Sequence, residues 1–164
     1  MKESADQNDN LGGRSPSTRQ MTSSVRWTDG MQFVGETGSG HSLVIDGAPE
    51  VGGRNTGMRP MEMVLLAVGG CTAMDVVFML RRARQPLDDC WIEVEGDRVE
   101  EIPKVFEKIH LHYVIVGEGL NEKQVKRAVE MSADKYCSVS HMLKAAVEVS
   151  YDYEIRTSAE GDSA

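Results

Sequence analysis

Residues 65–80 read LLAVGGCTAMDVVFML, Leu65 to Leu80. Two glycines run straight into a cysteine inside an otherwise apolar stretch. The flanks frame a helix from Pro60 to Ala83. Pro60 suits the first helical turn. Glu62 near the start and Arg81, Arg82 and Arg84 near the end follow the order that a helix dipole favours, and Pro86 stops the run. Such a helix is apolar on nearly every side, so it either crosses a membrane or is buried on nearly every side. Asp75, Thr72 and the glycines speak for a buried helix. A glycine inside a helix costs roughly 1 kcal/mol against alanine, so Gly69 and Gly70 call for a packing reason, such as close approach of a neighbouring helix. One small domain has difficulty surrounding this helix, and a second copy of the chain is expected to help.

Outward from the helix, the pattern alternates between strand and helix. Upstream, VRWT and MQFVGE flank Asp29-Gly30, a hairpin signal. SLVID gives a third strand, and GAPEVGGRNTGMRP reads as a loop. Downstream come WIEVEGDRVE and VFEKIHLHYVIV. In the second, Val105, Ile109, Leu111, Tyr113 and Ile115 are expected on one face. Asn121 caps a second helix, with Gln124 three residues on, and Val125, Ala128, Val129, Ser132 and Tyr136 follow at helical spacing. In the last strand, Val147, Val149, Tyr151, Tyr153 and Ile155 alternate with polar residues. Three strands, a long helix, two strands, a helix and a strand make an α+β fold. Its sheet should be mainly antiparallel, since the strands come in adjacent pairs.

Composition narrows the function. The chain has 164 residues, 40% of them hydrophobic, and a formal net charge of −8. That suits one folded domain, read at 24–156, between polar tails expected to be disordered at 1–23 and 157–164. The acidic balance argues against nucleic acid as a partner. The chain opens on MKESADQNDN, which is no secretory signal. The three cysteines, Cys71, Cys90 and Cys137, are odd in number and widely spaced, so the expected setting is the cytoplasm, with reduced thiols.

Cys71 and Cys137 hold the most pointed chemistry. If the fold brings them together, one can act as an attacking thiol and the other as a resolving thiol. The first becomes a sulfenic acid and the second condenses with it to a disulfide. The alternative is two inert core cysteines, since buried free cysteine packs as a small hydrophobe.

PMEMVLLAVGGCTAMDVV with KYCSVSHML downstream, and the opening VRWTDGMQFVGETGSGHSLVIDG, resemble the OsmC/Ohr family of osmotically inducible and organic-hydroperoxide-resistance proteins. The resemblance runs over about residues 24–156. It implies an intertwined homodimer whose antiparallel sheets wrap two long central helices, with active sites at the dimer interface. It implies a peroxidatic Cys71 and a resolving Cys137, organic hydroperoxides as substrates, and reduction by thiols or lipoyl groups without a cofactor. Founding members carry a glutamate ten residues before the reactive cysteine. Met61 occupies that position here and Glu62 follows it, a shift of about 100° around a helix. Glu62 is the candidate catalytic acid, with the first-turn dipole acid as its other reading. The family's thiolate-stabilising loop arginine has no counterpart in FVGETGSGH, leaving Arg26, Arg54 and Arg59 as candidates. A noncatalytic dimer that binds an apolar ligand or senses redox state in the same pocket is the alternative function.

The remaining chemistry-bearing residues read as structural. His110 and His112 share a strand face without a ligand set that would indicate a metal. His141 lies one helical turn past Cys137, Cys90 beside Trp91 reads as packing, and Asp75 is expected to bond a backbone group or a partner chain. No metal is expected.

Overall fold

The structure, a computed structural model, describes residues 20–157, so nearly all of both expected tails lies outside it. The described chain divides into two compact units at the Gly57–Met58 junction. In the first, β1 (Ser23–Asp29), β2 (Gln32–Thr37) and β3 (Ser42–Ile45) form an antiparallel sheet in that order. The hairpin falls where Asp29-Gly30 places it. Gly30 takes φ +54°, the left-handed conformation that glycine accepts without a steric penalty. The loop after β3 is organised by a single carboxylate. Buried Asp46 accepts from the Gly47, Arg54 and Thr56 amides at 2.8, 3.1 and 3.0 Å, and from the Thr56 hydroxyl at 2.7 Å. These donors, Thr56 foremost, pull its carboxyl down to about 2.

The second unit carries α1 (Pro60–Arg82), β4 (Asp89–Arg98), β5 (Phe106–Val116), α2 (Glu122–Met131), α3 (Ser138–Leu143) and β6 (Glu148–Arg156). Its sheet has the order β4-β5-β6. β5 is the central strand, and its Ile109, Leu111, Tyr113 and Ile115 are fully buried in a core shared with Val68, Val76 and Leu80 of α1 and Val125 and Val129 of α2.

The pairing is mainly antiparallel, as expected, with one departure in direction and one in phase. β4 and β5 are antiparallel, but β6 runs parallel to β5, with Ile109 opposite Val149 and Tyr113 opposite Tyr153. Residues 117–147 form a helical crossover long enough to carry the chain back to the strand's starting end. The β5 pattern also changes phase. Asp97 pairs with Lys108 but Arg98 pairs with Phe106, so Glu107 is an extra residue, as in a bulge. Phe106 is therefore buried, while Val105, expected inside, is half-exposed.

α1 is long and apolar enough to cross a membrane by length and composition, but Val68, Gly69, Thr72, Val76 and Leu80 form a buried stripe along it. The two glycines serve different sides. A Cβ on Gly69 would stand 2.9 Å from Val94 of β4, so Gly69 admits the strand rather than a second helix, while a Cβ on Gly70 would meet nothing within 4 Å. Gly70 belongs to a bare apolar stripe on which Leu66, Met74 and Phe78 are 59%, 78% and 63% exposed.

Candidate active site

Cys71 sits mid-way along α1 and Cys137 follows the second helical segment, and the fold brings them together. α2 does not run straight into Cys137. Residues Ser132–Tyr136 widen into a π-helical turn, closed by the Cys137 amide donating to the Ser132 carbonyl at 3.0 Å. Cys137 is then the N-cap of α3, its Sγ accepting from the Ser140 amide at 3.4 Å. Its side chain is fully buried. Cys71, half-buried, packs against the same cluster, and the Cys137 thiol is its neighbour.

Three influences act on the Cys71 thiol. Burial pushes it above its ordinary range, and the adjacent Cys137 adds to the rise. The backbone amides of Val139 and Ser138, in the first turn of α3, lie near enough to the sulfur to pull the other way. The net direction is upward. These amides are first-turn donors without an intrahelical acceptor, as is the Ser140 amide that donates to Cys137 Sγ.

Beneath the thiols lies a buried chain of hydroxyls. Thr72 Oγ1 shares a 2.5 Å hydrogen bond with Tyr113 Oη and one of 2.7 Å with Ser132 Oγ, and Ser132 Oγ donates to Asp75 Oδ2 at 3.0 Å. A carboxylate only accepts, so every member is satisfied when Tyr113 donates to Thr72, Thr72 to Ser132 and Ser132 to Asp75. Burial pushes the Tyr113 phenol up to about 12. The chain ties β5, α1 and the π-turn together one residue away from Cys71. Asp75 thus bonds a side chain, where a backbone group or partner chain was expected. On the far side of the π-turn, Asp134 accepts from Tyr151 Oη at 2.8 Å and from Lys144 Nζ at 3.0 Å. Nearby, Ser140 Oγ is buried with no hydrogen-bond partner among the described residues.

Glu62 is not brought to the thiols. Its Oε2 accepts from the Arg59 amide at 2.9 Å and its Oε1 from the Arg59 guanidinium at 3.0 Å, a capping arrangement at the start of α1. Nine helical positions place it about half a turn around from Cys71, and it lines a shallow groove with Leu66, Gly69 and Gly70. Of the candidate arginines, Arg59 is committed to Glu62, Arg54 pairs with Asp29 at 3.0 Å, and Arg26 lies on exposed β1.

The other singled-out residues lie apart. His112 Nδ1 is 2.5 Å from Asp152 Oδ1 and His110 Nδ1 is 2.8 Å from Ser150 Oγ, on the sheet face away from the helices. The carboxylate raises His112 above its ordinary value. His141 Nε2 is 3.1 Å from the Lys135 carbonyl oxygen. Among the described residues no group of three or more His, Cys, Asp or Glu is arranged to hold a metal ion. The hydroxyl chain and the two first-turn amides have no signature in local sequence, because Thr72, Tyr113 and Ser132 lie far apart along the chain.

The comparisons with known proteins agree with this architecture. The OsmC-like protein family matches residues 53–152. Protein YhfA of Escherichia coli (strain K12) is 44% identical over 138 residues, covering 82% of this chain and 98% of the relative. A hypothetical protein from Aquifex aeolicus has a crystal structure that superposes with a TM-score of 0.71 at 30% identity, over 84% of this chain and 98% of that one. An organic hydroperoxide resistance protein OsmC from Legionella pneumophila shares the fold at a TM-score of 0.64 and 18% identity, over 84% of this chain and 98% of that one. With the family matched across both cysteine segments and the cysteines gathered beside the middle of one core helix, the chain belongs to the OsmC-like protein family.

Proposed function

We propose that this protein is a cytoplasmic, homodimeric cysteine peroxidase that reduces organic hydroperoxides. The observation that carries the reading is the meeting of Cys71 and Cys137 from distant segments in one core cluster, with the Ser138 and Val139 amides near Cys71. In the reaction, Cys71 thiolate attacks the terminal peroxide oxygen and the O–O bond breaks. The alkoxide leaves with a proton as the alcohol, and Cys71 becomes a sulfenic acid. The Cys137 sulfur then attacks the Cys71 sulfur, the S–OH bond breaks, and hydroxide leaves with the Cys137 proton as water. A dithiol, lipoyl or other, returns two electrons and two protons. The amides lower the cost of the thiolate, and burial excludes water. This reading gives Glu62 a capping role, away from the thiols. Support for the substrate class comes from the Legionella relative's name; the name of the Escherichia relative carries no activity.

The dimer rests on α1. Leu66, Gly70, Met74 and Phe78 form an apolar stripe that one protomer leaves bare, and a second copy would cover it. Gly70→Arg tests this cleanly, because a side chain there meets nothing within the protomer. A folded monomer in sedimentation is expected; an unchanged dimer would remove α1 from the interface.

Titration of the reduced protein with cumene hydroperoxide, followed by intact mass and peptide mapping, tests the chemistry. A Cys71–Cys137 disulfide formed in proportion to peroxide is expected. A Cys71 that oxidises no faster than Cys90 would overturn the reading. The second reading, a noncatalytic dimer that binds an apolar ligand, is favoured by the upward-shifted Cys71 thiol and by the commitment of Glu62 and Arg59 to each other.

A further inference from the structure

A cavity of about 600 Å³ opens between the C-terminal half of α1 and α2, within the range of small-molecule sites. Phe78, Met79, Met131 and Tyr136 give it apolar walls, and Arg82 and Arg127 line it from the two helices. Neither guanidinium has an acid partner among the described residues, in a chain with 26 acidic and 18 basic side chains. The cavity also reaches Asp75, which lies seven residues before Arg82 and so about 10 Å away along the helix axis. Asp75 already accepts from Ser132.

We propose that this cavity binds a medium-chain amphipathic carboxylate. Charge fixes the orientation. The anionic head belongs between Arg82 and Arg127, where paired guanidiniums suit a carboxylate. The Asp75 end repels it. The apolar body lies along Met79, Met131 and Tyr136, running from the guanidiniums toward the Asp75 end. Asp75 is one helical turn from Cys71, so the far end of the ligand points toward the thiols. Any reaction there rests on the peroxidase reading, but the binding site does not.

The test is calorimetric binding of dodecanoate and of dodecanol, each below its aggregation limit, to the full chain. Saturable binding at one site per chain is expected for both. Dodecanoate should bind about tenfold tighter, the size of a charge-assisted hydrogen bond. The double variant Arg82→Gln/Arg127→Gln should erase that preference and leave dodecanol binding unchanged. Gln124→Trp, which adds bulk to the lining, should weaken both ligands. Equal affinity for the two ligands, a preference that survives in the double variant, or no saturable binding to natively folded protein would overturn the proposal. The last outcome is also what a second copy filling the cavity would give. The same titration on Cys71→Ser should return the wild-type affinities, so failed peroxide chemistry and a failed binding site give different results.

Discussion

Cys71 and Cys90 are both half-buried, and burial raises both thiols, yet their surroundings differ in kind. Cys90, at the start of β4, is pushed up to about 11 by burial, with the Asp89 carboxylate adding to the rise, and no donor opposes the shift. Burial raises Cys71 as well, but two backbone amides near its sulfur oppose the rise and a second thiol lies beside it. Exposure does not separate the two cysteines; the neighbours do. A reactive thiol needs an environment that tolerates its anion, and only at Cys71 do backbone donors oppose the upward shift.

The comparison breaks most completely by removing each thiol. Cys71→Ser should abolish peroxide-driven disulfide formation, while Cys90→Ser should leave it intact; mass mapping of the oxidised proteins checks both. If Cys90→Ser were the variant that lost the disulfide, the assignment of the site would collapse.

Thr72→Val is the next largest effect. It keeps the side chain's shape but leaves Tyr113 Oη and Ser132 Oγ without their shared partner, which costs about 1–3 kcal/mol. Denaturant unfolding should show that loss. Cys71 should then lose its advantage in reactivity over Cys90, because the π-turn before Cys137 is held through Ser132.

The amides can be tested one at a time. Ser138 is the first residue of α3, where proline is tolerated, and Cys137 before it is already extended, at φ −64° and ψ 103°. Ser138→Pro removes one donor to Cys71 and should slow its alkylation at neutral pH about three- to tenfold, with Cys90 unaffected. The pH dependence carries the sign. Both thiols are raised, so labelling of each should quicken as pH rises. Cys90 should reach half its maximal rate only near pH 11, and Ser138→Pro should move the Cys71 profile further up.

The smallest effect belongs to Glu62. Glu62→Gln keeps a capping side chain but loses an exposed ion pair, so stability should fall by no more than about 0.5 kcal/mol. The Cys71 alkylation profile should stay in place. A shifted profile would return Glu62 to the thiol chemistry.

Local signals carried much of this fold. Pro60 and the arginines bracket α1 within a residue of its observed end, Asn121 accepts from the Gln124 amide at 3.3 Å as its cap, and the alternation in β6 matches its burial from Glu148 to Tyr153, failing at Ile155. The two reactive-cysteine candidates were visible because their surroundings are patterned. What escaped depends on pairing across the chain. The parallel direction of β6 is set by the crossover, not by its own alternation. The extra residue Glu107 reverses the phase of β5 at one point, and no composition signal marks it. Gly69 and Gly70 look alike in sequence, yet one admits Val94 and the other faces open space. Tyr136 shows the same limit. It continues the helical period on paper, but the π-turn swings it half out of the protein.

That wide turn also sets a length for the chain. A π-turn spans in five residues the single turn that an ordinary helix closes in four, so deleting one residue from 133–136 would let a regular turn close between Ser132 and Cys137. The five-residue step is therefore a place where a frame-preserving deletion is cheap. A related sequence that is one residue shorter here would keep both the hydroxyl chain and the pairing of its two cysteines.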